Sequence, residues 1–345
     1  METIDLRSDT VTHPTPAMRQ AMANAAVGDD VYGEDPTVNR LQEMAAERMG
    51  KQAGLFVASG TMGNLTAILS HCQRGDEVML GNRAHTFLFE AGGISALGGI
   101  HSCQLPNQPD GSLALEDLQA AIRPDDPHDP ISRLICLENT HNRCGGTFQS
   151  AEYTRQVGEF AHQRGLKVHL DGARIFNAAV AQGIDAKELA GPADSVTFCL
   201  SKGLCAPVGS VLCGTKEFIT RAVRVRKMLG GGMRQAGILA AAGIVALETM
   251  VDRLGEDHAR ARRLADGLRG VPGLVLEPGT PATNMVFVSL AADIESTAAQ
   301  VTESLRKQGV LVGSTGERQF RLVVHYWITD EAVQKAASAF KHVLH

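Results

Sequence analysis

Short apolar runs of strand length recur along the first two thirds of the chain, and most are followed by a stretch of helical length. The runs are Leu55–Ala58, Glu77–Leu80, Leu134–Leu137, Lys167–Leu170, Ser195–Leu200 and Gly209–Cys213. Most of these strands have no polar face to turn toward water, so both faces must be covered. The pattern predicts an α/β fold with a mostly parallel sheet between layers of helices. The helices expected between the runs include an amphipathic one over 36–49. It opens on Pro36 and places Val38, Leu41, Met44, Ala45 and Met49 on one side. Further helices are expected over 62–72, 88–97 and 151–164.

The texture changes after Gly230-Gly231-Gly232. A long helical stretch from Gln235 to Arg269 is followed by strand-like Leu274–Glu277, Met285–Leu290, Gly309–Val312 and Arg321–Tyr326. Helical Ser296–Lys307 and Asp330–His342 lie among them. This reads as a smaller α+β domain, with the boundary inside the long helix: 1–248 for the arm and large domain, 249–345 for the small one. Residues 1–35 read as an irregular arm that packs on something else, a neighbouring subunit included.

Hydrophobic residues make up 44% and charged residues 21%, so a core is available and disorder is excluded. A net charge of −5 gives no footprint for nucleic acid or an anionic membrane. No apolar run approaches the roughly 18 residues of a membrane helix. Met1 to Arg7 lack the basic and apolar stretches of a secretory leader, so a cytoplasmic location is expected. The 7 cysteines form no C-x-x-C pair, which fits reduced thiols and no metal site.

Chemistry concentrates where the runs end. Lys202 follows the apolar run Ser195–Leu200. Desolvation there would free its amine as a nucleophile, although a surface lysine at a strand end fits the same motif. Asp171 ends the preceding strand in His169-Leu170-Asp171-Gly172-Ala173-Arg174. A buried carboxylate there can pair with a protonated pyridine nitrogen, or can cap the next helix. Ser59-Gly60-Thr61 follows a strand and opens a helix, where hydroxyls and free amides suit a phosphate or an ordinary N-cap. Lys202 lies one strand–helix–strand step beyond Asp171, so both reach one sheet edge, where ligands gather. An amine for an aldehyde, an acid for a ring nitrogen and a phosphate cradle converge on pyridoxal 5'-phosphate (PLP).

Longer motifs narrow the reading. They are Asp5-Leu6-Arg7-Ser8-Asp9-Thr10-Val11-Thr12, Gly28–Pro36, Glu138-Asn139-Thr140-His141-Asn142, Asp171-Gly172-Ala173-Arg174, Leu200–Leu204 and Arg226–Gln235. Together, and in this order over nearly the whole chain, they resemble the low-specificity L-threonine aldolases. The resemblance implies the PLP-dependent transferase fold type I, that of aspartate aminotransferase. It implies retro-aldol cleavage of L-threonine, L-allo-threonine and other L-3-hydroxy amino acids to glycine and an aldehyde, usually in a homotetramer.

The resemblance also implies roles. Lys202 holds the cofactor, Asp171 meets its ring nitrogen, and Ser59, Gly60 and Thr61 meet its phosphate. His85 stacks on the ring, and His141 lies near the substrate hydroxyl; either could handle its proton. Arg174 and Arg321 are the guanidiniums for the α-carboxylate, with Ser8 adding a hydroxyl. For Arg321 a surface arginine on a strand is the lesser alternative; Glu90, five residues after His85, either hydrogen-bonds within this network or lies on a solvated helix face, an equally good account. Lys227 and Arg234 flank the triple glycine and by resemblance reach a neighbouring subunit's site; a charged loop is the alternative. A PLP-dependent β-eliminating lyase, or alanine racemisation as a side activity, would share Lys202 and Asp171. The opening Arg143-Cys144-Gly145-Gly146 after Asn142 departs from the pattern beside His141, where diastereomer preference would be set.

Overall fold

A computed structural model describes residues 3–344. In chain order its strands are β1 (Ile4–Asp5), β2 (Ala53–Val57), β3 (Asp76–Gly81), β4 (His101–Leu105), β5 (Ile131–Glu138), β6 (Lys167–Asp171) and β7 (Ser195–Cys199). They continue with β8 (Ser210–Gly214), β9 (Leu274–Leu276), β10 (Met285–Leu290), β11 (Val310–Leu311), β12 (Gly313–Ser314) and β13 (Gln319–Val323).

Seven strands make one sheet in the order β2-β8-β7-β6-β5-β3-β4. All run the same way except β8, which pairs antiparallel with β2 and β7. This is the mostly parallel, doubly covered sheet that the apolar runs predict. Strands β3, β7 and β8 are buried along their whole length. The edge strand β4 has no counterpart among the apolar runs, because its His101, Ser102 and Gln104 face a partly solvated border.

The helix Pro36–Met49 forms over the predicted residues. Asp35 caps it by accepting from the amides of Thr37 and Val38, and Gly50 ends it in the left-handed conformation. Two helical expectations are corrected. The stretch 88–97 is broken into His85–Leu88 and Gly93–Ala96, because Ala91 and Gly92 turn to positive φ between them. The stretch from Gln235 to Arg269 is two helices, Gly237–Thr249 and Leu254–Arg269. The arm also differs from expectation. It contains the helix Pro16–Ala23, capped by Thr15, and that helix packs on Gly237–Thr249 of its own chain.

A second core lies under the antiparallel sheet β12-β13-β10-β9. Val286, Val288, Phe320, Leu322 and Phe340 fill it, with Leu264 from the helix Leu254–Arg269. The arm enters this core too. β1 pairs parallel with β11, and Leu6 is fully buried among these residues. Three residues on, Asp9 is buried against Arg174, which follows β6 of the large sheet. A few residues of extended chain therefore fasten both cores together. Among the described residues no helix is long and apolar enough to cross a membrane.

Leu6→Ala should cost about 2–5 kcal/mol of stability, the range for truncating a fully buried leucine. Urea denaturation of both proteins checks this; a loss below about 1 kcal/mol would mean that the arm is not part of the second core.

Candidate active site

The carboxyl ends of the parallel strands gather the polar residues. Ser59 follows β2, His85 follows β3, Glu138 ends β5 with His141 just beyond, Asp171 ends β6, and Lys202 follows β7. Backbone groups at such ends are free of ladder partners, which is why sites collect there.

The helix Gly60–His71 starts at this rim. Ser59 caps it, its hydroxyl accepting from the amide of Met62 at 3.2 Å. The helix lies hard against β7: a Cβ on Gly63 would sit 2.5 Å from Cγ2 of Thr197, and one on Gly60 would sit 2.9 Å from Sγ of Cys199. Only glycine permits this approach. The first-turn amides and the hydroxyls of Ser59 and Thr61 form a cradle with the positive end of the helix dipole behind it, which fits a phosphate.

Asp171 is buried and accepts from Nδ2 of Asn64 at 2.8 Å and from the amide of Ala173 at 3.0 Å. The same Asn64 nitrogen donates to Oε1 of Glu90 at 2.9 Å. That oxygen lies 2.9 Å from Nδ1 of His85. One heteroatom each of His85, Glu90 and Asp171 therefore falls within 4.8 Å of the others. The bond to Glu90 pushes the His85 pKa up, with the Asp171 charge helping, while burial raises that of Glu90. This geometry fits a cationic ring: a carboxyl group for its nitrogen, beside an imidazole for its face.

Glu138 ties the two histidine loops together. One of its oxygens accepts from the amide of His85 at 2.7 Å, the other from the amide of Asn142 at 2.8 Å. His141 is 1% exposed, and among the described residues neither of its ring nitrogens has a partner. Its Nε2 is 3.9 Å from the Glu138 carboxylate, too far for a hydrogen bond. Gly111, at φ +88, lies against it; a Cβ there would stand 2.6 Å from Cβ of His141. A buried imidazole without a protein partner is available to bond a ligand.

The guanidiniums complete the rim. Arg174 donates through Nε and Nη2 to both oxygens of Asp9, at 2.7 and 2.6 Å. Burial alone would raise the Asp9 pKa, but the Arg174 charge and hydrogen bonds outweigh it and hold it at about 2. Arg321, on β13, donates to Oδ1 of Asn142 at 2.6 Å and leaves Nε without a partner. Burial pushes Arg321 down to about 10, and the charges of Arg174 and Arg143 add to this. Asp9 opposes these charges at Arg321 and Glu138 also acts on Arg174, so three guanidiniums meet two carboxylates and the corner carries a positive surplus. Ser8 caps the short turn at Asp9–Val11 beside it. The Lys202 carbonyl is held by the Thr12 hydroxyl and the Cys205 amide, each at 2.9 Å. Its ammonium charge acts on both Asp9 and His85.

Lys227 and Arg234 are not brought into this group. Both are exposed, and Arg234 pairs with Asp29 of the arm at 2.9 Å. The residues missed by sequence reasoning are Asn64, Glu138, Asp9 and Gly111. Glu138 ends an apolar strand in a motif already noted for its histidine; the other three are visible only once distant segments meet.

The beta-eliminating lyase family pattern matches residues 5–293. A probable low-specificity L-threonine aldolase 2 from Arabidopsis thaliana is 49% identical over 100% of this chain and 98% of its own length. The low specificity L-threonine aldolase of Escherichia coli K12 is 48% identical over 99% of both chains. The chain belongs to the low-specificity L-threonine aldolase family. A solved Leishmania major threonine aldolase superposes with a TM-score of 0.85 at 19% identity, over 99% of this chain and 100% of that one. The enzyme accordingly has the fold of the type I PLP-dependent enzymes.

In this aldolase-family chain the Asp9–Arg174 pair should set an acid limit to stability. The folded pKa of Asp9, about 2, lies below the ordinary 3.8. Its contribution, on the order of 2 kcal/mol, is complete above about pH 4 and is lost as pH falls toward 2. Asp9→Asn should cost about 3 kcal/mol at neutral pH by leaving a buried guanidinium without its counter-charge. Denaturation of both proteins along a pH series should show the gap narrowing below pH 4; a constant gap would contradict the assignment.

Proposed function

We propose that the enzyme cleaves the Cα–Cβ bond of L-threonine, L-allo-threonine and other L-3-hydroxy amino acids, giving glycine and an aldehyde, with PLP as cofactor. The observation that carries this reading is the pairing of a cationic corner, Arg174 and Arg321, with an unpartnered buried imidazole, His141. The first suits an α-carboxylate and the second a β-hydroxyl. The relatives named above, similar over their full length, support the same substrate class.

When bound, PLP supplies an electron sink for the charge left on Cα as the bond breaks. The remaining work belongs to this chain. Lys202 holds the cofactor through its amine, and the Ser59-Gly60-Thr61 cradle takes the phosphate. Asp171 keeps a proton on the ring nitrogen, and His85, braced by Glu90, packs against the ring. Arg174, Arg321 and the Ser8 hydroxyl grip the carboxylate, which fixes the Cα–Cβ bond relative to the ring. His85 has committed Nδ1 to Glu90 and is assigned to the ring, whereas neither ring nitrogen of His141 has a partner among the described residues. His141 therefore accepts the hydroxyl proton as the aldehyde leaves.

Lys227 and Arg234, both exposed in their own chain, suit the phosphate or carboxylate of a neighbouring subunit's site. The reading therefore includes a homotetramer of catalytic dimers, in the cytoplasm, acting in threonine breakdown and glycine supply. A β-eliminating lyase would release a 2-oxo acid and ammonia from the same kind of site.

Incubation of the PLP-loaded enzyme with L-threonine should yield glycine and acetaldehyde in equal amounts. 2-Oxobutanoate and ammonia in their place would sink the aldolase reading. Lys202→Ala should lose the cofactor's bound absorbance and turnover together. His141→Phe should lower kcat by about a hundredfold or more, the usual contribution of a general base, with the cofactor still bound. Retained kcat would remove His141 from the proton transfer.

A further inference from the structure

Side chains of β6 alternate across the sheet, so His169 and Asp171 point the same way, toward the helix Gly60–His71. His169 is fully buried, yet both its ring nitrogens are engaged. Nε2 lies 3.1 Å from Oδ1 of Asn64, and Nδ1 lies 2.9 Å from Oγ of Ser195. Ser195 is the register partner of His169 on β7. Its Oγ in turn lies 2.8 Å from Nε2 of His71, at the far end of the helix.

The direction of every bond in this chain follows from its inner end. Asp171 and Glu90, when ionised, only accept, so the Asn64 atom facing both must be the amide nitrogen. Its oxygen then accepts, and Nε2 of His169 donates to it. Nδ1 of His169 must accept, so the Ser195 hydroxyl donates to it. The Ser195 oxygen is left to accept from Nε2 of His71. Each group donates inward, and the last N–H reaches Oδ2 of Asp171. The arrangement requires a neutral His169. Burial meets that requirement by lowering its pKa to about 4, against the opposing Asp171 charge.

We propose that Asn64 and His169 are positioning residues for Asp171: the donor chain His71–Ser195–His169–Asn64 fixes that carboxylate as an acceptor aimed at the cofactor's ring nitrogen. The proposal rests on the PLP reading given above. Asn64 also bonds Glu90, so one amide sets both the acid for the nitrogen and the brace of the ring-stacking His85.

The chain itself is read without cofactor. In the apo-protein, nitrogen NMR of the imidazoles at neutral pH should show His169 protonated on Nε2 and bare on Nδ1. A ring protonated on Nδ1, or on both nitrogens, overturns the proposal. Its effect is read by titrating apo-protein with PLP. Asn64→Ala and His169→Phe should each weaken PLP binding about tenfold, as removal of a charge-assisted hydrogen-bond network does. His169→Gln, whose amide can donate to Asn64 Oδ1, should recover most of that loss. In an Asp171→Asn background the same changes should add less than about twofold, because their target is gone. Equal losses in both backgrounds indicate a merely structural role and overturn the proposal. If His169→Phe does not fold, the Asn64→Ala arm and the NMR result decide. Wild-type protein that binds no PLP overturns the cofactor reading and this proposal with it, whereas additive losses overturn this proposal alone.

Discussion

The buried pair of Asp9 and Arg174 is the contact on which the rest of the structure turns. Neither charge could be buried alone, since an unpaired ion in a protein interior costs several kcal/mol. Together they draw the arm down onto the end of β6 and hold it there through two parallel hydrogen bonds. The arm then sets Thr12 against the Lys202 carbonyl and Leu6 into the second core. The pair also leaves Arg174 oriented, with one nitrogen still uncommitted. The cationic surplus at this corner is thus built from a partly neutralised guanidinium beside Arg321.

Much of the large sheet was legible because its strands are buried on both faces and carry few polar residues. Where that condition fails, legibility fails with it. β4 lies at the border and reads as polar. The break at Ala91 and Gly92 comes from backbone conformation, which hydrophobic periodicity does not register. The arm looked irregular because Pro16–Ala23 is short and mostly exposed; its partner, the helix Gly237–Thr249, lies more than two hundred residues away in sequence.

The candidate site was legible in a different sense. Ser59, His85, His141, Asp171 and Lys202 each follow or end a strand, so locating the strands locates them. Their supports were not. Glu138 looks like any acid closing a strand until its oxygens are found on the amides of His85 and Asn142. Asn64 looks like a helix residue until it is found between two carboxylates. Asp9 sat in a motif noted for other members. Such groups act through partners distant in sequence, so neither spacing nor residue type betrays them. Arg234 differs again: its motif is distinctive, and within its own chain its side chain pairs with Asp29.

Arg174 belongs to the segment after β6 in the large sheet, and Arg321 to β13 over the second core. A carboxylate gripped by both is gripped by two separately packed bodies. Leu6 and Asp9 lie three residues apart on one short strap across the same seam, one buried in the second core and the other paired with Arg174. On the proposed reading, recognition of the carboxylate and the fit of the two cores therefore rest on the same few residues.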